Sequence, residues 1–416
     1  MRKLATSLHR YVGLTTAAFL FVIGLTGALL AFYDELDAWF AADLRRAPAT
    51  DSPLTVGQIV DRVETAIPEG RVTYVHTPPE PGHSIMVRVS PRPGSGVEKF
   101  DFSEIFVDPE SGRELGRRDW GCCLERKNFM PWVYRLHYTL HAPGRIGVWL
   151  LGGVALLWAL DCFVALYLTL PRRRPFFLRW WPAFKVKTDG GAQRFNYDLH
   201  RASGLWLWAV LFVLAFSGVY FNLNREVFRP VVEVFSDLTP YPYEYRDAVP
   251  PEEQAPILGY DEALQRALAE AERQGWPTEA RGVALSHAQQ YYSVYLQPFD
   301  DLRFGMAGPT LFIDSMNGTL VDDRVPLEGS AADVLFSLQY PLHSGKIGGL
   351  LGRIIICLAG LATAVLSVTG VIIWARKRRA RMRGERARRQ KRAPALEGAL
   401  RPEPAQQSPA AFDRAT

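Results

Sequence analysis

Of the eight histidines in this 416-residue chain, five stand beside long apolar runs. A neutral imidazole can give one nitrogen to a metal while its other N–H is held by a neighbour. Two imidazoles on facing helices can supply both axial ligands of a b-type haem. His9 lies in LHRYVGL (8–14) and His200 in LHRASGL (199–205), each opening an apolar run. His141 lies in LHYTLHAPGRIG (136–147) and His343 in LQYPLHSGKIGG (338–349), each preceding another. The expected pairs are His9 with His200 and His141 with His343. His137, one helical turn before His141, aligns with Gln339 and has no counterpart in this register.

The neighbouring residues suit the same chemistry. Gly13, Gly204, Gly144 and Gly345 leave room for a flat macrocycle to approach the backbone. Arg10, Arg201, Arg145 and Lys346 are placed to reach carboxylates such as haem propionates. Copper or zinc is the chemical alternative, although two histidines with no nearby cysteine or carboxylate match zinc poorly. The bland alternative is interfacial histidine and arginine with packing glycine. Asp161, the one charge inside an apolar run, has four open readings: proton acceptor, quinol ligand, hydrogen-bond partner of a ligand histidine, or a packing feature. His76, His83 and His287 read as ordinary side chains of polar segments.

These residues need elements to position them. Four runs are long enough to cross a bilayer, which takes roughly 20 apolar residues. The first has too long an apolar part for a cleavable signal, and no small-residue cleavage site follows it, so it reads as a retained helix. MRK, PRRRP and ARKRRARMRGERARRQKR flank the runs, and the positive-inside rule puts them in the cytoplasm. The net charge of +5 is therefore topogenic and calls for no nucleic acid. The expected order is a cytoplasmic N-terminus and first span (1–33), a periplasmic α+β domain (34–143), the second span (144–170) and a cytoplasmic loop (171–199). The third span (200–222), a second periplasmic α+β domain (223–345), the fourth span (346–375) and a basic, disordered tail (376–416) follow.

The chain is written twice. Thr26-Gly27 matches Ser217-Gly218 at the same offset from LHR, and Gly144-Arg145-Ile146 matches Gly345-Lys346-Ile347. TVGQIVDRVETA and GYDEALQRALAEAERQ each read as an amphipathic helix followed by alternating strands. IFVDPESGREL and LFIDSMNGTLV each read as a hairpin, with Asp108 and Gly112 matching Asp314 and Gly318 at the turn. Two halves of like topology pair about an axis along the membrane normal. The expected fold is a membrane α-helical protein, a duplicated four-helix bundle that can house a cofactor between facing helices. The four cysteines form no disulfide framework, and the neighbours Cys122 and Cys123 are not expected to bond. No dinucleotide fingerprint follows a strand, so electrons would come from a membrane quinol or a cytoplasmic reductant.

The duplicated LHRxxGL entry, the paired returns before spans two and four, and two outer α+β domains resemble the PepSY-associated transmembrane proteins. That group includes bacterial inner-membrane reductases of ferric siderophores. The resemblance covers roughly residues 1–379. It implies two b haems, held by His9 with His200 and by His141 with His343, and electrons passed outward to a periplasmic ferric siderophore with release of Fe(II). It also implies a multi-pass protein of the bacterial inner membrane, in contact with lipid. Two other readings stand beside it: a haem-free PepSY-type accessory or sensor protein, and a small-solute transporter. The latter is disfavoured by spans without a Gly/Pro break.

Overall fold

The computed structural model describes residues 1–77, 81–300 and 305–399, with backbone alone for 387–399. The first helix, α1 (Arg2–Leu30), carries no charge after Arg10, and the short helices α2 (Tyr33–Phe40) and α3 (Ala42–Arg45) follow. Next come α4 (Val56–Ala66), the strands β1 (Gly70–His76), β2 (Ile85–Pro91), β3 (Glu104–Val107) and β4 (Glu114–Arg118), and α5 (Phe129–Thr139). The chain returns through α6 (Ile146–Thr169) to a short α7 (Phe176–Trp180). The second half repeats this order. It comprises α8 (Gly191–Trp206), α9 (Trp208–Asn222), the short α10 (Arg229–Glu233) and α11 (Pro242–Tyr245), α12 (Tyr260–Gln274), β5 (Ala280–Ser286), β6 (Tyr291–Leu296), β7 (Thr310–Asp314), β8 (Leu320–Arg324), α13 (Ala331–Ser344) and α14 (Gly349–Ala399).

Three helices, α1, α6 and α14, are long and apolar enough to cross a membrane. The third expected span is instead a bent pair: α8 and α9 meet at Leu207 with a 69° bend. Neither Gly nor Pro stands at the break. The indoles on either side are anchored to different segments, Trp206 Nε1 donating to the Phe184 carbonyl and Trp208 Nε1 to the Cys162 carbonyl. The third span is thus broken, contrary to the unbroken spans expected from the sequence. Because α8 begins at Gly191, His200 lies in the middle of a helix rather than at its mouth.

α1 packs on α14 and α6, α6 on α9, and α8 on α14. Small residues set the closest of these contacts. A Cβ on Gly24 would stand 2.6 Å from the Gly360 carbonyl oxygen, and one on Gly360 2.5 Å from the Gly24 oxygen, so the backbones of α1 and α14 touch there. The basic tail departs from expectation: α14 continues as helix through Ala399, and only residues 400–416 of the expected disordered tail lie outside the described residues.

The two expected outer domains are one body. Their strands form a single antiparallel sheet in the order β4-β3-β2-β1-β5-β6-β7-β8. The halves join through β1 and β5, where Tyr74 faces Ala284, Val75 faces Val283 and His76 faces Gly282. A strand buried on its core face cannot leave its edge in water without unpaired N–H and C=O groups, and each half covers the edge of the other. α4 and α12 supply one shared core with the alternate strand residues, among them Ile59, Val72, Val75, Ala263, Ala267, Val283 and Val294. Asp261 at the start of α12 accepts from Thr55 Oγ1 (2.6 Å) and from the Gly57 N–H (2.8 Å) of α4, binding the two helices together.

The sheet is tied by buried charge to α2, the short helix that follows α1. Arg118 at the end of β4 donates to Asp37 of α2 (2.8 Å) and to Glu104 of β3 (2.8 Å), all three nearly free of solvent. The loop beyond β4 holds Cys122 and Cys123, which are joined as a disulfide, against the sequence expectation. The amide of Asn128, at the head of α5, donates to the Cys122 sulfur at 3.3 Å. The last helix of each outer segment, α5 and α13, leaves the sheet and packs on α1 and α9 respectively. The side of the molecule bearing the sheet is called the sheet side below, and the side bearing Arg2 and the basic stretch of α14 the basic side.

Candidate functional site, two pairs of histidines

On the basic side, α1 and α8 bring His9 and His200 together, with ring centroids 6.2 Å apart. On the sheet side, α5 and α13 bring His137 and His343 together at 6.3 Å. The first pair is the one the sequence repeat suggests. The second replaces His141 by His137.

The reason is local. α5 stops at Thr139, and Leu140 and His141 take φ values of 53° and 54°, turning the chain out of the helix. The His141 ring folds back onto Trp132, stacked at 4.8 Å, and its Nε2 donates to the Trp132 carbonyl at 3.0 Å. Counted from the loop glycine, His141 matches His343. Counted from the supporting helix it does not: Thr26 meets His137 and its repeat mate Ser217 meets His343. Leu136-His137 and Leu342-His343 are the true counterparts, separated by extra residues in the first half.

Each of the four imidazoles has its Nδ1 held. His137 Nδ1 lies 2.9 Å from Thr26 Oγ1, His343 Nδ1 2.7 Å from Ser217 Oγ, and His200 Nδ1 2.9 Å from Thr369 Oγ1. A hydroxyl has a single proton to give. Thr26, Ser217 and Thr369 each give it to the carbonyl four residues back, those of Val22, Val213 and Val365. Each hydroxyl oxygen is thereby left as an acceptor, so Nδ1 carries the hydrogen and Nε2 keeps its lone pair. For His9 the acceptor is a carboxylate, Asp161 Oδ2 at 2.7 Å. That contact is the hydrogen bond to a histidine that one of the four sequence readings of Asp161 expects. The same tautomer results at all four, the one in which the remaining nitrogen can bind a metal.

Glycines lie against two of these rings. A Cβ on Gly27 would meet His137 Cε1 at 3.0 Å, and one on Gly370 would meet His200 Cε1 at 3.2 Å. Thr26-Gly27 and Thr369-Gly370 are therefore the same device, a hydroxyl that holds Nδ1 followed by a residue with no side chain to push the ring. The glycines singled out from sequence divide. Gly13 faces open space, and a Cβ on Gly204 would meet only a Leu366 methyl at 3.5 Å. Gly144 and Gly345 serve turns with positive φ, and a Cβ on Gly345 would strike the Gly352 carbonyl.

A cavity of about 490 Å³ adjoins the basic-side pair, lined by His9, His200, Asp161, Gly13 and Gly204 among mostly apolar side chains. Arg10 and Arg201 also line it, as the sequence suggests for groups that bind carboxylates. Arg201 is partly engaged, with Asp198 at 2.9 Å, whereas Arg10 lies over the Tyr11 ring at 4.6 Å. Arg145 and Lys346 point to acids of this chain instead, Glu226 at 2.7 Å and Asp34 at 3.4 Å.

The fit to a macrocyclic metal can be tested on the ring separations. Two imidazoles on opposite sides of one metal, at about 2.0–2.1 Å per metal–nitrogen bond and about 1.1 Å from nitrogen to ring centre, have centroids about 6.3 Å apart. Both pairs meet that spacing. Among the described residues no group of three or more His, Cys, Asp or Glu gathers as a metal cage.

No curated protein sequence matches the chain. The family model for the PepSY-associated TM region matches residues 6–377, which takes in all four histidines and the whole sheet. The chain belongs to the PepSY-associated transmembrane family.

Proposed function

We propose that this membrane protein is a b-type di-haem reductase of the bacterial inner membrane that passes electrons outward to a periplasmic ferric siderophore. The observation that carries the reading is the pair of histidine couples with centroids 6.2 and 6.3 Å apart and every Nδ1 committed. His9 with His200, and His137 with His343, would hold the two haems; Arg10 and Arg201 would take propionates of the first. Haem supplies reversible one-electron chemistry at its iron. The chain supplies the rest. Thr26, Ser217, Thr369 and Asp161 orient the imidazoles and fix their tautomer. The mostly apolar lining of the cavity would tune the basic-side site.

The separation of the couples along α1 supports transfer across a bilayer. Thr26 follows His9 by 17 residues on α1, about 25 Å along the helix, against a hydrocarbon core of about 30 Å. The basic side would face the cytoplasm, where a quinol or soluble reductant delivers electrons, and the sheet would face the periplasm. One electron per ferric ion suffices, because siderophores hold Fe(II) far more weakly than Fe(III). The siderophore assignment rests on the family resemblance, and the sheet is the surface available to dock the complex.

The test is spectroscopic. The purified protein should show a b-type spectrum on dithionite reduction, with about two haems per chain, and should reoxidise on anaerobic addition of a ferric siderophore while a chelator traps Fe(II). A colourless protein from cells supplied with haem overturns the reading. Two haems that no ferric siderophore reoxidises would retain the electron carrier and discard the substrate.

A further inference from the structure

Three of the four histidines are held by a neutral hydroxyl that precedes a glycine: Thr26-Gly27, Ser217-Gly218 and Thr369-Gly370. The fourth departs from the pattern. His9 is held by Asp161, which Cys162 follows. Asp161 is only 8% exposed, its Oδ2 lies 2.7 Å from His9 Nδ1, and its Oδ1 has no hydrogen-bond partner. Among the described residues no guanidinium bonds to either oxygen. Arg201 is paired with Asp198, and Arg2 donates to the Leu168 and Leu170 carbonyls at the end of α6. A buried carboxylate is thus spent on one imidazole and on nothing else.

We infer that Asp161 sets the direction of electron flow, by giving the basic-side site the lower reduction potential of the two. This rests on the di-haem reading. A carboxylate that accepts the Nδ1 hydrogen makes the ligand more basic than a hydroxyl does, and its negative charge favours the oxidised, more positive metal. The sheet-side couple, held by Thr26 and Ser217, has no such charge in contact with it. An electron leaving the basic-side site therefore runs downhill to the sheet-side site. The transfer is one electron for one electron; no bond breaks and no proton moves. Asp161 is a positioning residue in this scheme, acting through His9.

The experiment is an optical redox titration of the full-length protein in detergent, comparing wild type with Asp161→Asn and Thr369→Asp. The His9→Ala variant identifies the basic-side transition by its loss. In wild type that transition should be the lower of two one-electron steps. Asp161→Asn should raise it at least tenfold in reduction equilibrium constant, about 59 mV for one electron, and leave the other in place. Thr369→Asp, which puts a second carboxylate on the partner imidazole, should lower the same transition by a similar factor. If Asp161→Asn fails to load haem at this site, Thr369→Asp decides alone. An unshifted transition, a shift of the other one, or a basic-side step that is the higher in wild type overturns the inference while the di-haem function stands. Wild-type protein without haem would overturn the function itself, so the two failures are distinct.

Discussion

Exchanging the roles of His137 and His141 gives the sharpest test of the sheet-side site. Substitution of His137 by Ala removes one imidazole of a couple whose rings are 6.3 Å apart, and His343 alone then faces a gap. Haem content should fall from about two to about one per chain. His141→Ala removes a stack on Trp132 at 4.8 Å and one hydrogen bond to a backbone carbonyl. Its cost is about 0.5–1.5 kcal/mol of local stability, and haem content should stay at two. Thr26→Val grades the argument between these extremes. It strips the hydroxyl acceptor from His137 Nδ1 and leaves that buried N–H to the Ile23 carbonyl alone, at about 1 kcal/mol. Loss of such a support typically weakens metal retention by about 10–100-fold, so the variant should bind two haems when freshly loaded and shed one on dilution. The assay is the pyridine-haemochrome ratio of haem to protein, before and after dilution with a haem-scavenging apoprotein. Two haems in His137→Ala with one in His141→Ala would refute the reasoning and restore the register read from the loop glycines.

Arg118→Ala should cost about 3–5 kcal/mol, because it removes the buried cation shared by Asp37 and Glu104, 1% and 3% exposed, and leaves them only the more exposed Arg45 at 3.9 Å and Arg88 at 3.3 Å; a thermal melt in detergent unchanged from wild type would contradict it. Val283→Asp puts a carboxylate on β5 opposite Val75, where both residues are fully buried, and should unfold the joined sheet, read as loss of protease resistance of the outer segments. Acid should weaken the two outer hairpins. Asp108 is held below the usual carboxylate range by the Ser111 N–H, with the Ser111 hydroxyl and Glu110 N–H assisting. At Asp314 burial pushes the carboxyl up, but Arg246 and the N–H groups of Met316 and Asn317 outweigh it and hold it low. Both pKa values are lower folded than unfolded, so the stabilisation is full above about pH 3.9 and is lost as pH falls through the native values. The Asp108→Asn, Asp314→Asn double variant should show a flatter melting-temperature profile below pH 4. Cysteines placed at Glu98 and Arg383 should react from opposite sides of the membrane with an impermeant maleimide, Glu98 from the periplasm.

The elements were legible where sequence period and turn chemistry agree. The helices over 56–66 and 260–274 and the strands after them fall where alternation puts them, and Asp108-Gly112 and Asp314-Gly318 turn with positive φ at the glycine. Strand partners are another matter, because nothing within β1 or β5 says that the free edge of one half meets the other. The bend at Leu207 was equally hidden, since no Gly or Pro marks it. At the site, four of the five histidines near the spans form couples. The fifth was misassigned because the loop glycine dominates local similarity, while the contact that fixes the register comes from α1, more than a hundred residues away. The signal was present all the same. Thr26-Gly27 and Ser217-Gly218 stand in the repeat, and Thr369-Gly370 extends the pattern to α14. Only the side-chain contacts show that these hydroxyls hold imidazoles, with Gly27 and Gly370 against the rings and Gly218 against Ala155.

The join between β1 and β5 carries one more consequence. Each strand has seven residues, and the fifth of one faces the fifth of the other, Tyr74 against Ala284. Antiparallel pairing about equivalent positions is the register of an isologous contact, in which one patch meets its own copy. Both histidine couples obey the same operator: His9 and His137 come from the first half, His200 and His343 from the second. Each half brings its own supports, Asp161 and Thr26 in one, Thr369 and Ser217 in the other. A half-chain would thus carry two correctly held imidazoles and neither finished site, with an open strand edge above them. It is one face of a dimer whose other face has been written into the same polypeptide. Both histidine couples lie on the seam between them, so closing the sheet and pairing the histidines are a single assembly event.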